Sequence, residues 1–426
     1  MNTVTLLVQL LVALGFLWRA AGKLFGFERS RASFEAMRLG RSWRWGLGVL
    51  ELFGGLGMLA SMAQPFLVFF VCVLLAALSI GMLATQFLRK STKGTAMVGL
   101  LLAGTVAAAA LQPLGLKVLA LPKAADLPDE AAPARVVKTY EEGLWFEGIA
   151  AGADGTLYLS ANRNLDFALS DYYRHAHGEV LVRRPDGVEN VLFQTPPGST
   201  AGVVAVASDG SLYMTSHSRA PCIWHIKLDG QAAKVAELPS GAWPNGLDIG
   251  PDGNLYAPDS ALGVVWRIDP AAKAAERVIE SAALKARAFI SLAPGANGLH
   301  FSGRDMYVTV SDRTTVLKFT LDAAGRFGEP TVMATGIPGD DFAIGPDGSL
   351  FIATHPYNTL VRVMPDGRRI VVGNAAQHIV GATAAVFGRR PDDRDTLYVV
   401  TDGGAFTGGP KTRGELVALR PYEQHQ

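Results

Sequence analysis

The sequence predicts an N-terminal all-α four-helix transmembrane domain followed by a C-terminal all-β six-bladed β-propeller. Three observations predict it: apolar stretches confined to the first 115 residues, a change in charge balance at that point, and a hairpin pattern that returns six times after residue 140. The chain has 426 residues, 49% hydrophobic and 18% charged, with 47 glycines, 2 cysteines and a mean hydropathy of +0.22. These values exclude a disordered or collagen-like chain and a small disulfide-stapled domain, and they exclude a nucleic-acid partner held by bulk positive charge.

The four apolar stretches run roughly over 4–18, 45–64, 66–88 and 95–111, each near the length a helix needs to cross a bilayer. A cleaved signal peptide fits the first stretch poorly, because it lacks a basic leader and no polar mature chain follows it. Residues 1–115 hold 10 Lys or Arg against 3 Asp or Glu. The basic residues fall between the first and second stretches (Arg19, Lys23, Arg29, Arg31, Arg38, Arg41 and Arg44) and between the third and fourth (Arg89, Lys90 and Lys93). Both loops are therefore expected on the cytoplasmic side of an inner membrane, which leaves everything after the fourth helix extracytoplasmic. Glu51 is the one acidic residue inside an expected span, and a charge at that depth calls for a partner such as Arg19 or Lys23. Residues 1–112 thus form the membrane domain, with the lipid bilayer as partner. The Pro- and Ala-rich stretch 113–134 reads as a tether, and 135–426 as the propeller.

The repeat reads FEGIAAGADGTLYLSAN from Phe146, AGVVAVASDGSLYMTSH from Ala201, PNGLDIGPDGNLYAPDS from Pro244, ANGLHFSGRDMYVTVSD from Ala296, GDDFAIGPDGSLFIATH from Gly339 and a degenerate copy from Ala382. In each, a short apolar strand meets a polar turn, mostly Asp-Gly, and returns as a second strand. Aligned on the turn, the opening residues are Glu147, Gly202, Asn245, Asn297, Asp340 and Thr383, at intervals of 55, 43, 52, 43 and 43. That spacing suits four-stranded blades, with RVVKTY before Glu147 closing the ring against GELVALR near the C-terminus.

Equivalent positions of the innermost strands ring a propeller's channel, so Glu147, Asn245, Asn297 and Asp340 are expected at one level. Two carboxylates and two amide oxygens make a hard donor set whose charge would balance one divalent cation. Calcium fits best, and magnesium or manganese are alternatives. Asn and Asp also open strands simply as turn formers, but Glu does not, and Glu147 stands in register with them. Asp341 is read as supporting the ligands rather than as one of them. The second strands end in Asn162, His217, Ser260, Asp312, His355 and Asp402, which should gather at the channel mouth. His217 and His355 are candidate general bases, with His355 preferred. His300 has an odd offset from Asn297 and is expected to point into the blade.

Two resemblances follow from these residues. The runs AAGKLFGF, FEAMRLG and GVLELFGGLGML resemble the DoxX-like family of four-helix membrane proteins, which implies a membrane module often linked to redox or sulfur chemistry. The repeats EGIAAGADGTLYLSAN, WPNGLDIGPDGNLYAPDS and DDFAIGPDGSLFIATH resemble the gluconolactonase, or SMP-30 and regucalcin-like, family over about 140–420. That resemblance implies one divalent ion, usually calcium, held by Glu, Asn and Asp, and hydrolysis of lactones or related esters. Glu147, Asn245 and Asp340 match its metal positions, and Asn297 matches the extra asparagine of four-ligand variants. Gly202 departs from the pattern, and the arginines that grip sugar lactones have no clear counterpart.

The expected function is a membrane-anchored, metal-dependent hydrolase acting on a small lactone or ester. Asp340 and Glu147 would hold the cation, and a water activated by the cation, a carboxylate or His355 would attack. The absence of a GxSxG motif argues against a serine esterase. The alternative is a non-catalytic propeller that binds a ligand or partner around a structural ion, coupled to the membrane domain.

Overall fold

The computed structural model describes residues 3–62, 67–92, 94–111, 122–165, 173–217, 220–287, 294–405, 409 and 411–423. The end of the second apolar stretch, Lys93 and most of the first half of the expected tether lie outside these. The chain divides into two compact units, a helical one within the first 119 residues and a propeller made from the chain that follows.

The helical unit contains α1 (Thr3–Leu24), α2 (Glu28–Ala36), α3 (Arg41–Ala60), α4 (Leu67–Leu88) and α5 (Thr95–Leu111). Its outer surface is apolar, and polar groups sit inside among an apolar core: Leu11, Phe53 and Leu100 are 67%, 66% and 68% exposed, while Gln9, Lys23, Glu51, Ser79, Gln86 and Thr105 are buried. That inversion suits a lipid surround, where small residues and internal polar contacts hold helices together. Two glycines let α3 approach its neighbours: a Cβ on Gly54 would meet Leu75 of α4 at 2.3 Å, and one on Gly55 would meet Leu17 of α1 at 2.8 Å. Among the described residues two helices, Leu6–Leu24 and Leu67–Leu88, are long and apolar enough to cross a membrane, against the four expected. α5 is apolar but has 17 residues, and α3 carries Arg41, Arg44 and Glu51. The basic loop expected between the first two helices contains the extra helix α2.

The propeller has six four-stranded antiparallel sheets, each running outward from the channel. Five blades are built in simple chain order, with innermost strands at Trp145–Ala151, Val204–Val206, Asp248–Ile249, Ala296–Ser302 and Phe342–Ile344. The sixth takes Ala382–Phe387, Leu397–Thr401 and Arg413–Leu419 from the C-terminus and its outer strand, Ala134–Glu142, from the front of the domain. Val136 pairs with Val417 across that seam, so the closure expected from RVVKTY and GELVALR is present. Apolar side chains interleave between adjacent blades, as where Phe342, Ile352 and Val361 of blade five meet Val316 of blade four. Hydroxyls lace one blade to the next: Thr215 donates to the carbonyl of Asn245 at 2.6 Å and Thr309 to that of Asp340 at 2.6 Å.

Residues 122–133 do not hang as a tether. Glu130 and Ala132 donate their N–H groups to the carbonyls of Val371 and Val372, and Val371 donates to Pro128, each at 2.8 Å. The segment forms a parallel bridge on the outer strand of blade five, Arg369–Gly373, and satisfies an edge that would otherwise be open.

Candidate channel site

The ring position coincides with a break in the strand ladder. In blade one Phe146 pairs with Ala161 and Gly148 with Ser160, leaving Glu147 in a bulge between them. Asn297 occupies the equivalent irregularity in blade four, as Thr383 does in blade six. In blades three and five the residue precedes the regular strand and is held by its N–H, Asn245 to the carbonyl of Pro258 at 3.0 Å and Asp340 to that of Ala353 at 2.7 Å. A bulge re-aims a side chain out of the sheet's alternation, which is how a strand residue comes to face the channel. Gly202 has no room for a donor, since a Cβ there would lie 2.3 Å from Thr215 Oγ1.

The two asparagines are oriented from behind. Ser311 donates its hydroxyl hydrogen to the carbonyl of Gly339 at 2.6 Å, so its oxygen can only accept from Asn297, whose Nδ2 stands 2.9 Å away. Ser260 likewise donates to Ala296 at 2.6 Å and receives Asn245 Nδ2 at 3.4 Å. Each relay assigns the amide nitrogen to the serine and leaves the oxygen as the remaining polar atom of the amide.

Glu147 and Asp340 act on one another electrostatically. Burial, opposed by His355 and reinforced by Asp402 and Asp341, pushes Glu147 up to about 7. Burial and then the charge of Glu147 hold Asp340 well above the usual carboxylate range, with His355 and the Asn297 amide opposing. The Asn245 backbone is held beside blade four, since Gly246 N–H donates to the carbonyl of Asn297 at 3.0 Å. His355 Nε2 lies 2.9 Å from Asp402 Oδ2 and its Nδ1 3.8 Å from Asp340 Oδ2. Burial would lower this histidine, but Asp402, Asp340 and Glu147 outweigh it and raise it to about 9.

The other expected mouth residues divide. Asn162 is spent on the backbone of Ala201, donating at 2.8 Å and accepting at 2.9 Å. Asp312 is tied to Arg287, whose Nε is 3.5 Å from its carboxylate. His217 does not fit the role of general base: burial lowers it to about 3, Thr200 Oγ1 lies 2.8 Å from its Nδ1, and its ring packs edge-on against Tyr173 and Trp243. His300 corrects a second expectation. It lines the channel rather than the blade interior, because the irregularity at Asn297 and Gly298 inverts the alternation that follows. Its Nε2 is 3.0 Å from Asp341 and its Nδ1 3.5 Å from Asp248, and these carboxylates overcome burial to lift it to about 10. Asp248 and the His355–Asp402 pair escaped sequence reasoning. Asp402 stands at the strand end one blade on from His355, and that matched position was the available signal.

Among the described residues no group of three or more His, Cys, Asp and Glu is arranged to hold a metal ion. A cation here would need the amides of Asn245 and Asn297 beside the carboxylates of Glu147 and Asp340. This all-oxygen donor set, with two acidic groups raised chiefly by burial, suits a hard divalent ion.

Six radial sheets around a channel of carboxylates, amides and imidazoles define a β-propeller with a polar axial site. The family described as SMP-30/Gluconolactonase/LRE-like region matches residues 175–403, and the chain belongs to it. The DoxX-like family matches residues 7–108. Similar solved structures include a gluconolactonase from Xanthomonas campestris, 20% identical, covering 70% of this chain and 98% of its own, with a TM-score of 0.47. A calcium-binding regucalcin from Agrobacterium tumefaciens is 18% identical over 69% of this chain and 96% of its own, with a TM-score of 0.48. A luciferin-regenerating enzyme is 15% identical over 68% and 95%, with a TM-score of 0.49. No curated protein matches the sequence.

Proposed function

We propose that the propeller hydrolyses lactones or related esters with a divalent cation, most simply calcium, held by Glu147, Asn245, Asn297 and Asp340. The observation that carries this reading is the pair of acids Glu147 and Asp340, drawn from separate blades and both raised, first by burial and then, for Asp340, by the charge of Glu147. Family membership and a relative described as a calcium-binding regucalcin support it. A cation bound there would supply polarisation of the substrate carbonyl. The chain's own part is proton movement and orientation. Asp402 accepts a hydrogen bond from His355 Nε2–H and so fixes the ring, leaving Nδ1 on the Asp340 side. With the negative charge of Glu147 and Asp340 offset, the pull that holds His355 protonated weakens, and the Nδ1 of the neutral ring would take a proton from the attacking water and return it to the alkoxide as the ring C–O bond breaks. The product is a hydroxy acid.

The helical unit, in this reading, spans the inner membrane four times with both ends outside the cytoplasm, and residues 135–426 with their strap 122–133 work on the extracytoplasmic side. Purified full-length protein assayed on a lactone panel with and without chelator tests the chemistry. Turnover lost on chelation and in Asp340→Ala supports the hydrolase; cation-dependent stability without turnover on any substrate replaces it with a non-catalytic propeller around a structural ion.

A further inference from the structure

The helical unit buries more positive charge than it neutralises. Glu51, 3% exposed at its side chain, takes Arg19 Nη2 at 2.9 Å on one oxygen and Lys23 Nζ at 2.5 Å on the other, with those cations 15% and 5% exposed. Arg44 is also buried and donates to the carbonyl of Lys23. That bond satisfies a donor but cancels no charge. Two cations therefore share one carboxylate and a third, Arg44, is buried beside them on a carbonyl, and an uncompensated charge in an apolar surround is costly enough to demand a counter-ion.

A cavity of about 340 Å³ opens onto this cluster between α1, α2, α4 and the start of α5. Arg19 and Lys23 line it, and Trp18, Phe34, Met82 and Met97 give it apolar walls. Glu28 and Arg29 also line it, both exposed to solvent and opposite in charge. Trp18, Trp43 and Trp45 project outward from the same two helices that bring the cations together. Exposed tryptophans of this kind favour the level of lipid head groups.

We propose that this cavity binds the anionic head of an amphiphile, with the head on Arg19 and Lys23 and the chain along the Trp18, Met82 and Met97 wall. The head chemistry, a phosphate or a carboxylate, could come from a membrane lipid or from a free fatty acid. The site is independent of the propeller's chemistry.

Native mass spectrometry of the full chain in neutral detergent, with phosphatidylglycerol, phosphatidylcholine or laurate added, tests it. One of the two anions should be retained about tenfold more than phosphatidylcholine, the scale of a charge-assisted hydrogen bond, and which one identifies the source. Arg19→Gln should lose that preference. Gly22→Leu should block retention, because a Cβ there meets nothing closer than Phe27 at 3.5 Å and the added side chain enters the cavity. Equal retention of phosphatidylcholine and both anions, or retention unaltered in Gly22→Leu, overturns the proposal.

Discussion

The two units bury acidic groups in opposite company. In the helices, Glu51 is surrounded by more positive charge than it can balance, with Arg19 and Lys23 each in direct contact. In the propeller, Glu147, Asp340, Asp341, Asp402 and Asp248 face two imidazoles, His355 and His300, so acids outnumber bases, and Glu147 and Asp340 are pushed towards holding their protons. The first arrangement is a locked pair with positive charge to spare. The second is an excess of acidic groups. A buried carboxylate thus signals structure or chemistry according to what its neighbours leave unbalanced.

The largest effect expected from this contrast is in the propeller. On the proposed function, Asp340→Ala should lower lactone turnover by about a thousandfold and remove the response of the melting temperature to divalent cations, since it deletes one of the two carboxylates proposed to hold the cation. Turnover surviving in that variant would place the chemistry elsewhere.

Next is Glu51→Gln, which leaves two buried cations without a carboxylate. Breaking a buried pair from one side costs about 3–5 kcal/mol. Helical circular dichroism during heating should show the helical unit melting early, while propeller turnover persists. Arg19→Gln should cost less, because Lys23 still meets Glu51.

His355→Gln should reduce turnover by about a hundredfold, within the usual range for loss of a general base, yet leave cation-dependent stabilisation intact. Parallel loss of both would make His355 a structural part of the ligand cluster instead.

The smallest effects are in pH dependence, and their signs differ. Without a divalent cation, the folded protein holds protons on Glu147 up to about 7 and on His355 up to about 9, against ordinary values of 4.5 and 6.5. The native state then binds more protons than the unfolded chain across that range, so stability falls as pH rises from about 4.5 to about 9. Added calcium should flatten the slope in thermal melts. His217 works the other way. Its folded value of about 3 against an ordinary 6.5 means the unfolded chain takes up a proton first, so stability is lost as pH falls from 6.5 towards 3. His217→Gln should remove that acid-side loss and leave the alkaline side unchanged.

Much of this architecture was legible because propeller blades repeat a local pattern. Six hairpins, their Asp-Gly turns and the closing strand could be read from spacing, and the alignment that set Asp340 apart from Asp341 depended only on counting back from a turn. His300 could not be placed that way. Counting assumes unbroken alternation, whereas the irregularity at Asn297 and Gly298 shifts every later residue to the other face. The strap at 122–133 was also illegible, because its composition is that of a linker and its bonds are to a strand some 240 residues away.

Periodicity and turn chemistry are local, so the amino-acid order alone determined the helical front, the six-fold β repeat and the residue types offered at each ring position. Which way those residues point was decided only in the folded chain. The His355–Asp402 contact, the serine relays behind Asn245 and Asn297 and the shared field of Glu147 and Asp340 each join different blades or strands. Contacts of that kind come into being only when the ring closes, and the charge balance of a site is a property of all its members together.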